Sequence, residues 1–303
     1  MLPALSVSAY ELVIGSGPEG TFSYYTAKTL CRIFESQDSE LDCTLNASTD
    51  EVDALTNIQG GSLDLALIDS HLLLEALTGS GPFTYLDISY DRVRAITPLY
   101  DIAVSLVVRK GAEVASSEQL PGKRVNTGPA GSPEKRIFEL IMQANNWSEA
   151  DFSVLSELSS SLSQDKISFR QGAVQVLVHR GVHPDPDITQ LMNDSGAQLI
   201  GITGEKISAK VRQTPSLSSQ KISKNYYSGV TGDIVTFGTT MTLVTSEDLD
   251  TETAQVISTA LIEKEKRIQA LHPSLASFRL SDQKIWFGGL KVHATVLDQA
   301  KKR

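Results

Sequence analysis

The sequence predicts an α/β protein of two lobes, each a mostly parallel sheet flanked by helices, with a ligand cleft between the lobes. Three observations carry that expectation. Leu12 to Ile68 alternates strand and helix in the order β-α-β-α-β; Lys123 to Asn145 repeats a strand, glycine turn and helix; and two long apolar strands, Ala103 to Arg109 and Ile234 to Thr245, can take the chain across and back. Clefts of that kind bind ligands. The implied division is residues 10–101 with 232–303 as lobe I, 102–231 as lobe II, and 1–9 as a leader remnant or disordered leader. At 303 residues and 41% hydrophobic, the chain can bury such cores.

Each element follows from local pattern. Leu12-Val13-Ile14 is a short apolar strand, and Thr21 to Phe34 places Tyr24, Ala27, Leu30, Cys31 and Phe34 at helical spacing. A second strand, Cys43 to Ala47, leads into Ser48 and Glu51, the spacing of a capping box, with Val52, Leu55 and Ile58 facing inward before Gly60-Gly61. Leu63 to Ile68 is apolar on both faces apart from Asp64, as a covered parallel strand is. The strand at Ala103 has no clear helix before it. In the helix after Gly128-Pro129, Ile137, Leu140, Ile141 and Ala144 form the buried stripe. Val174 to Val178 is a strand ending in the turn HRGVHPDPD, and one helix from Thr251 to Leu271 turns Val256, Ala260, Ile268 and Leu271 inward.

Composition excludes some partners. A net charge of -9, from 36 acidic and 27 basic residues, argues against nucleic acid, whose phosphates need a basic face. No apolar stretch approaches the roughly 20 residues that span a bilayer. Val7-Ser8-Ala9 has the small-x-small look of a signal-peptidase site, which suggests a processed export signal or a plain leader. Cys31 and Cys43 match no metal pattern; a disulfide from the first helix to the second strand and two free buried thiols both remain open.

Gly15, Gly17 and Gly20 follow the GxGxxG spacing of a dinucleotide loop, between a strand and a helix. The fingerprint also needs an acidic residue at the end of the second strand, and Asn46, Ala47 and Ser48 stand there, so NAD is disfavoured. GPAGSPEK lacks the Lys-Ser ending of a P-loop. No GxSxG or HExxH occurs, and His179 with His183 bracket a turn without the helical context of a metal pair. Asp64 and Asp69 flank a strand and are read as turn caps. The chemistry is that of binding, with no enzyme activity and no cofactor expected.

Taken together, IGSGPEGTFSYYTAKTL, NASTDEVDALTNIQGGSLDLALIDSHLLLEA, RAITPLYDIAVSLVVRKG, QLPGKRVNTGPAGSPEKRIFE, RGVHPDPDI and VTFGTTMTLVTSEDLD with LHPSLAS, in order from about Val13 to about Leu290, resemble the TAXI family of solute receptors of TRAP transporters. The resemblance implies a periplasmic-binding-protein fold (type II), export to the periplasm, capture of a dicarboxylate, oxoacid or amino acid, delivery to the membrane permease subunits, and a monomer. It implies a ligand shell drawn from Ser16, Gly17 and Thr21, from Asp69 and Ser70 at a strand end, from Tyr100, and from Gly128, Gly131 and Ser132. All lie at βα turns or strand ends, where a parallel sheet presents backbone amides. Arg180, at a strand end, can take a carboxylate bidentately, with Arg136 second; Tyr227, beside Tyr226, can close over the ligand or pack in the core. The chain departs from the family's small-residue loops at Pro18-Glu19 and Pro133-Glu134, and Phe287 stands where histidine is usual. Two added carboxylates would favour a neutral or cationic ligand unless they face solvent. A receptor reporting to a membrane sensor and, less well supported, an NAD-dependent enzyme are the alternatives.

Overall fold

The computed structural model describes residues 10–47, 50–158, 162–280 and 289–301. The expected leader, Ser48 and Phe287 lie outside the described residues. The chain forms two compact units, Met1–Tyr100 with Thr240–Arg303, and Asp101–Thr239.

The first unit begins with β1 (Tyr10–Ser16), α1 (Phe22–Glu35), β2 (Leu41–Ala47), α2 (Glu51–Gly60) and β3 (Leu65–Asp69). β1 pairs in parallel with β2 from Tyr10↔Leu41 to Ser16↔Ala47, and with β3 at Ile14↔Leu65. All five β3 residues are buried, as expected for a parallel strand covered on both faces. Gly15 sits in tight packing: a Cβ there would lie 2.8 Å from Leu63 Cδ1, which would have to shift, and 3.4 Å from Ala66 Cβ. α2 is capped by Asp50, whose carboxylate accepts from Val52 N–H, and it stops at Gly61 in the left-handed region.

Two expectations need correction here. A helix, α3 (Ser70–Thr78), does precede the crossover strand; it starts directly after β3, with Asp69 ending the strand and capping the helix at once. That strand, β4, runs from Val93 to Val108, ten residues longer at its start than the apolar run from Ala103 suggests. Cys31 on α1 and Cys43 on β2 are joined in a disulfide, with Cα atoms 5.3 Å apart.

The second unit takes the later part of β4 and adds β5 (Arg124–Asn126), α4 (Pro133–Asn145), β6 (Val154–Ser156), α5 (Leu162–Gln171), β7 (Val176–Gly181), α6 (Pro186–Ser195), β8 (Gln198–Gly201), α7 (Glu205–Gln213) and β9 (Ser218–Ile222). β5 pairs in parallel with β6 and β7, while β7 and β8 run antiparallel to β4. Its core gathers Val104, Leu106, Val125, Phe138, Ile141, Val176 and Phe237. Ile137, Leu140 and Ile141 of the expected stripe are buried, Ala144 packs at its margin, and Phe138 is fully enclosed.

The chain re-enters the first unit within β10 (Ile234–Ser246), whose later half pairs antiparallel with β3 from Met241↔Asp69 to Thr245↔Leu65. The single helix expected after it is instead two, α8 (Thr251–Glu263) and α9 (Glu265–Gln269), broken at Lys264, and α10 (Ala294–Lys301) follows. The buried face of α8 is Ala254, Ile257, Ala260 and Leu261 rather than Val256, and Leu271 lies past the helix, exposed. Ala260 and Ile268 of the expected stripe are buried, one on each side of the break, while Val256 is half-buried.

Candidate functional site

In the first unit β1 and β3 are parallel neighbours, so Ser16 and Asp69 end on the same edge of the sheet. Thr21 caps α1: its Oγ1 accepts from Tyr24 N–H at 3.3 Å and donates to Pro18 O at 2.7 Å. Gly17 N–H donates to Ser23 Oγ at 3.2 Å, and a Cβ on Gly17 would sit 2.5 Å from that oxygen. Gly20 holds a left-handed φ of +93°. The three glycines therefore serve strand packing, a turn closed by its own hydroxyls, and a left-handed kink. Ser16 is buried with its hydroxyl on Gly17 O, and Glu19 is exposed.

The neighbouring turn is as tightly built. Asp69 accepts from His71 N–H at 2.8 Å, and its own N–H donates to Glu51 Oε2 at 2.8 Å. Ser70 is fully buried and its hydroxyl accepts from Thr240 N–H at 3.0 Å. Tyr100 is buried, its ring edge-on to Phe22 at 4.8 Å; His272 meets the same Phe22 at 4.7 Å. Phe22 and His272 were not among the residues expected at the site. His272 lies in LHPSLAS, one of the segments that carry the resemblance, and Phe22 is the first residue of α1.

In the second unit β5 and β7 are parallel neighbours, and their ends bring the 127–132 turn beside His179 and Arg180. Asn126, buried at the end of β5, accepts from Gly128 N–H at 3.2 Å and Leu158 N–H at 3.1 Å, pinning the turn. Gly128 is left-handed at φ +83°. Ser132 caps α4 through Lys135 N–H at 3.2 Å, and Gly131 O accepts from Arg136 Nη1 at 2.6 Å. Arg180 Nη2 donates to Thr239 Oγ1 at 3.2 Å.

Tyr227 is placed inside this unit's core, 4% exposed, rather than at an open surface. Its hydroxyl accepts from Asp185 N–H at 2.7 Å and lies 2.6 Å from His183 Nδ1. A neutral His183 with its proton on Nε2 would accept the phenol hydrogen at Nδ1. Burial, then the neighbouring His179, pushes the His183 pKa down to about 3. Burial also lowers His179, against the opposing pull of Asp185, Glu134 and Asp187. The same burial raises the Tyr227 phenol. The His179 and His183 rings stand 5.6 Å apart, but among the described residues no three His, Cys, Asp or Glu are placed to hold a metal ion. No helix of the described residues is long and apolar enough to cross a membrane.

The first unit also has a pocket of about 490 Å³ lined by Asp38, Glu40, Asp250 and Glu252. It opens beside Tyr10 at the start of β1, the strand end opposite Ser16, and is no part of the glycine turn.

The model of the NMT1-like family matches residues 14–288. Among solved structures, a Xanthomonas citri protein bound to ATP superposes with a TM-score of 0.56 at 10% identity, over 84% of each chain. The periplasmic sulfonate-binding protein of a putative sulfonate ABC transporter from Methylobacillus flagellatus KT gives 0.52 at 14% identity, over 86% of this chain and 70% of that one. The periplasmic aliphatic sulphonate binding protein SsuA from Escherichia coli gives 0.50 at 13% identity, over 97% and 79%. At these identities the likeness establishes the fold, that of periplasmic binding proteins, with mixed α/β sheets flanked by helices.

Proposed function

The chain belongs to the NMT1-like family, and from that premise we propose that it is an extracytoplasmic solute-binding receptor that captures a small organic acid or amino acid and delivers it to a membrane permease. The observation that carries the reading is the repeated βα turn: in each unit a glycine-bearing loop at a strand end leads into a side-chain-capped helix. Such turns present backbone amides to a ligand without committing side-chain chemistry to a reaction.

We assign the finer type as TAXI, serving a TRAP permease, on the ITPLYD and GKRVNTGPAGS segments. In this reading Ser16, Gly17, Thr21, Asp69, Ser70 and Tyr100 form the first unit's contribution. Gly128, Gly131, Ser132 and Arg180 form the second's, with Tyr227 acting indirectly by holding the 183–185 turn next to Arg180. Export to the periplasm is supported by the Cys31–Cys43 disulfide, a bond that persists in oxidising compartments. No cofactor and no catalytic step is assigned.

A thermal-shift screen tests the reading, using C4 and C5 dicarboxylates, oxoacids, amino acids, alkanesulfonates and NAD. A true ligand at about a hundred times its Kd adds roughly 2.7 kcal/mol, a rise of several degrees. Arg180→Ala is expected to weaken that ligand by about tenfold or more, as loss of a charge-assisted hydrogen bond does. Stabilisation by NAD alone, or by no compound in the screen, would refute the receptor reading. Co-purification with TRAP membrane subunits, against ABC or sensor components, decides the partner.

A further inference from the structure

We propose that Glu134 makes the second unit's turn selective for ligands that carry an ammonium group; the inference rests on the receptor reading above and narrows its substrate class.

Glu134 is the second residue of α4, half-buried, and its side chain folds back over the Gly128 turn. A Cβ built on Gly128 would lie 3.2 Å from Glu134 Cβ and 3.7 Å from its Oε2. The carboxylate has no hydrogen bond or ion pair among the described residues, and the nearby cations are directed elsewhere. Lys135 Nζ pairs with Glu157 Oε1 at 2.9 Å, Arg136 Nη1 reaches Gly131 O, and Arg180 Nη2 reaches Thr239.

The surroundings lean the same way. Around the imidazole of His179, the carboxylates of Glu134, Asp185 and Asp187 outnumber the one guanidinium, Arg180. Asp185 is already spent as the cap of α6, accepting from Asp187 N–H at 2.7 Å and Ile188 N–H at 3.1 Å. His179 Nε2 is buried without a hydrogen-bond partner, 3.7 Å from Asp185 Oδ2 and so beyond bonding reach. An unpaired carboxylate over the Gly128 turn is an acceptor suited to an N–H donor of positive charge, whereas a second carboxylate on the ligand would be repelled. A purely structural role is the competing account, since an acid in the first helical turn stabilises the helix dipole.

The two accounts separate in ligand preference. Isothermal titration at pH 7 compares matched pairs that differ in the amino group: glutamate with 2-oxoglutarate, leucine with its 2-oxo twin, and taurine with isethionate. In the parent chain the amino member of the pair that binds is expected to be at least about tenfold tighter, and Glu134→Gln should reduce that ratio about tenfold while Glu134→Asp keeps part of it. A helix-dipole role would lower the melting temperature of both variants without moving the ratio. The proposal is overturned if the amino member and its amino-free twin bind equally, if the amino-free twin is preferred, or if Glu134→Gln leaves the ratio unchanged. Binding of a dicarboxylate or sulfonate with no amino compound bound would sink this inference and leave the receptor reading standing. If no compound in either panel binds, both fall.

Discussion

Lowering the pH from 6.5 to 5 is expected to destabilise the second unit through His183. The imidazole is 5% exposed, its Nδ1 is occupied by the Tyr227 hydroxyl, and its Nε2 has no partner. Burial sets its folded pKa at about 3, against 6.5 for an exposed histidine. Between those two values the unfolded chain binds one proton more than the folded chain, so stability is complete above the upper value and falls as the pH drops toward the lower. Each pH unit in that window removes about 1.4 kcal/mol, so 1.5 units remove about 2 kcal/mol. His179, lowered by the same burial, adds a loss of the same sign. Urea unfolding at pH 6.5 and pH 5 measures the change, and His183→Gln isolates it. The variant loses the Tyr227 contact at both pH values, so only the difference between them is diagnostic. Parent and variant losing equal stability over this interval would show that His183 is not held neutral in the fold, and the reasoning from burial would fail.

Two further predictions test the scaffold. Replacing Cys31 and Cys43 together by serine opens a closure twelve residues apart in sequence and is expected to cost about 3 kcal/mol; unfolding of the reduced parent should match that of the variant. Gly238→Ala puts a Cβ 2.1 Å from Ile102 O and 2.4 Å from Gln220 Oε1, a clash with backbone that rotation of a side chain cannot relieve. Loss of soluble protein, or of several kcal/mol in unfolding, is expected, and a variant as stable as the parent would refute the close approach of β10 to β4.

The part of the fold legible in the sequence is the part where one residue type signals one thing. Leu12 to Ile14 and Leu65 to Ile68 are apolar on both faces and become the buried parallel strands β1 and β3. α3 was hidden because no spacer separates it from β3: Asp69 and Ser70 look like a strand end followed by a turn, and they are also a cap and a first helical residue. β4 was shortened because Pro98 and Asp101 interrupt its apolar run, although the strand continues through both. β8, α7 and β9 are short and polar, as in Ser218–Ile222, where only Gln220 and Ile222 turn inward. The two strands are placed by pairing, β8 with β4 and β9 with β10, a tertiary cause that no local window contains.

The candidate site was legible as positions and not as roles. Glycine turns can be found from sequence because left-handed backbone favours glycine, as at Gly20 and Gly128. What the other residues do depends on which hydrogen bonds the fold has already satisfied. Tyr227 reads as a lid or a core residue and takes the core position, where Asp185 N–H and His183 occupy its hydroxyl. Asp69 reads both as a turn cap and, through the resemblance, as a ligand contact, and in the fold it is the cap of α3. Glu134 and Glu19 look alike in the sequence, each following a proline at a glycine turn. Glu19 is exposed, while Glu134 is half-buried over Gly128 with its charge unpaired among the described residues. The cost of burying a charge is what separates them: an exposed carboxylate is neutral to binding, and a half-buried unpaired one is stabilised by whatever cation enters beside it. On the proposal above, ligand preference is carried by Glu134 of the second turn more than by the glycines of either turn.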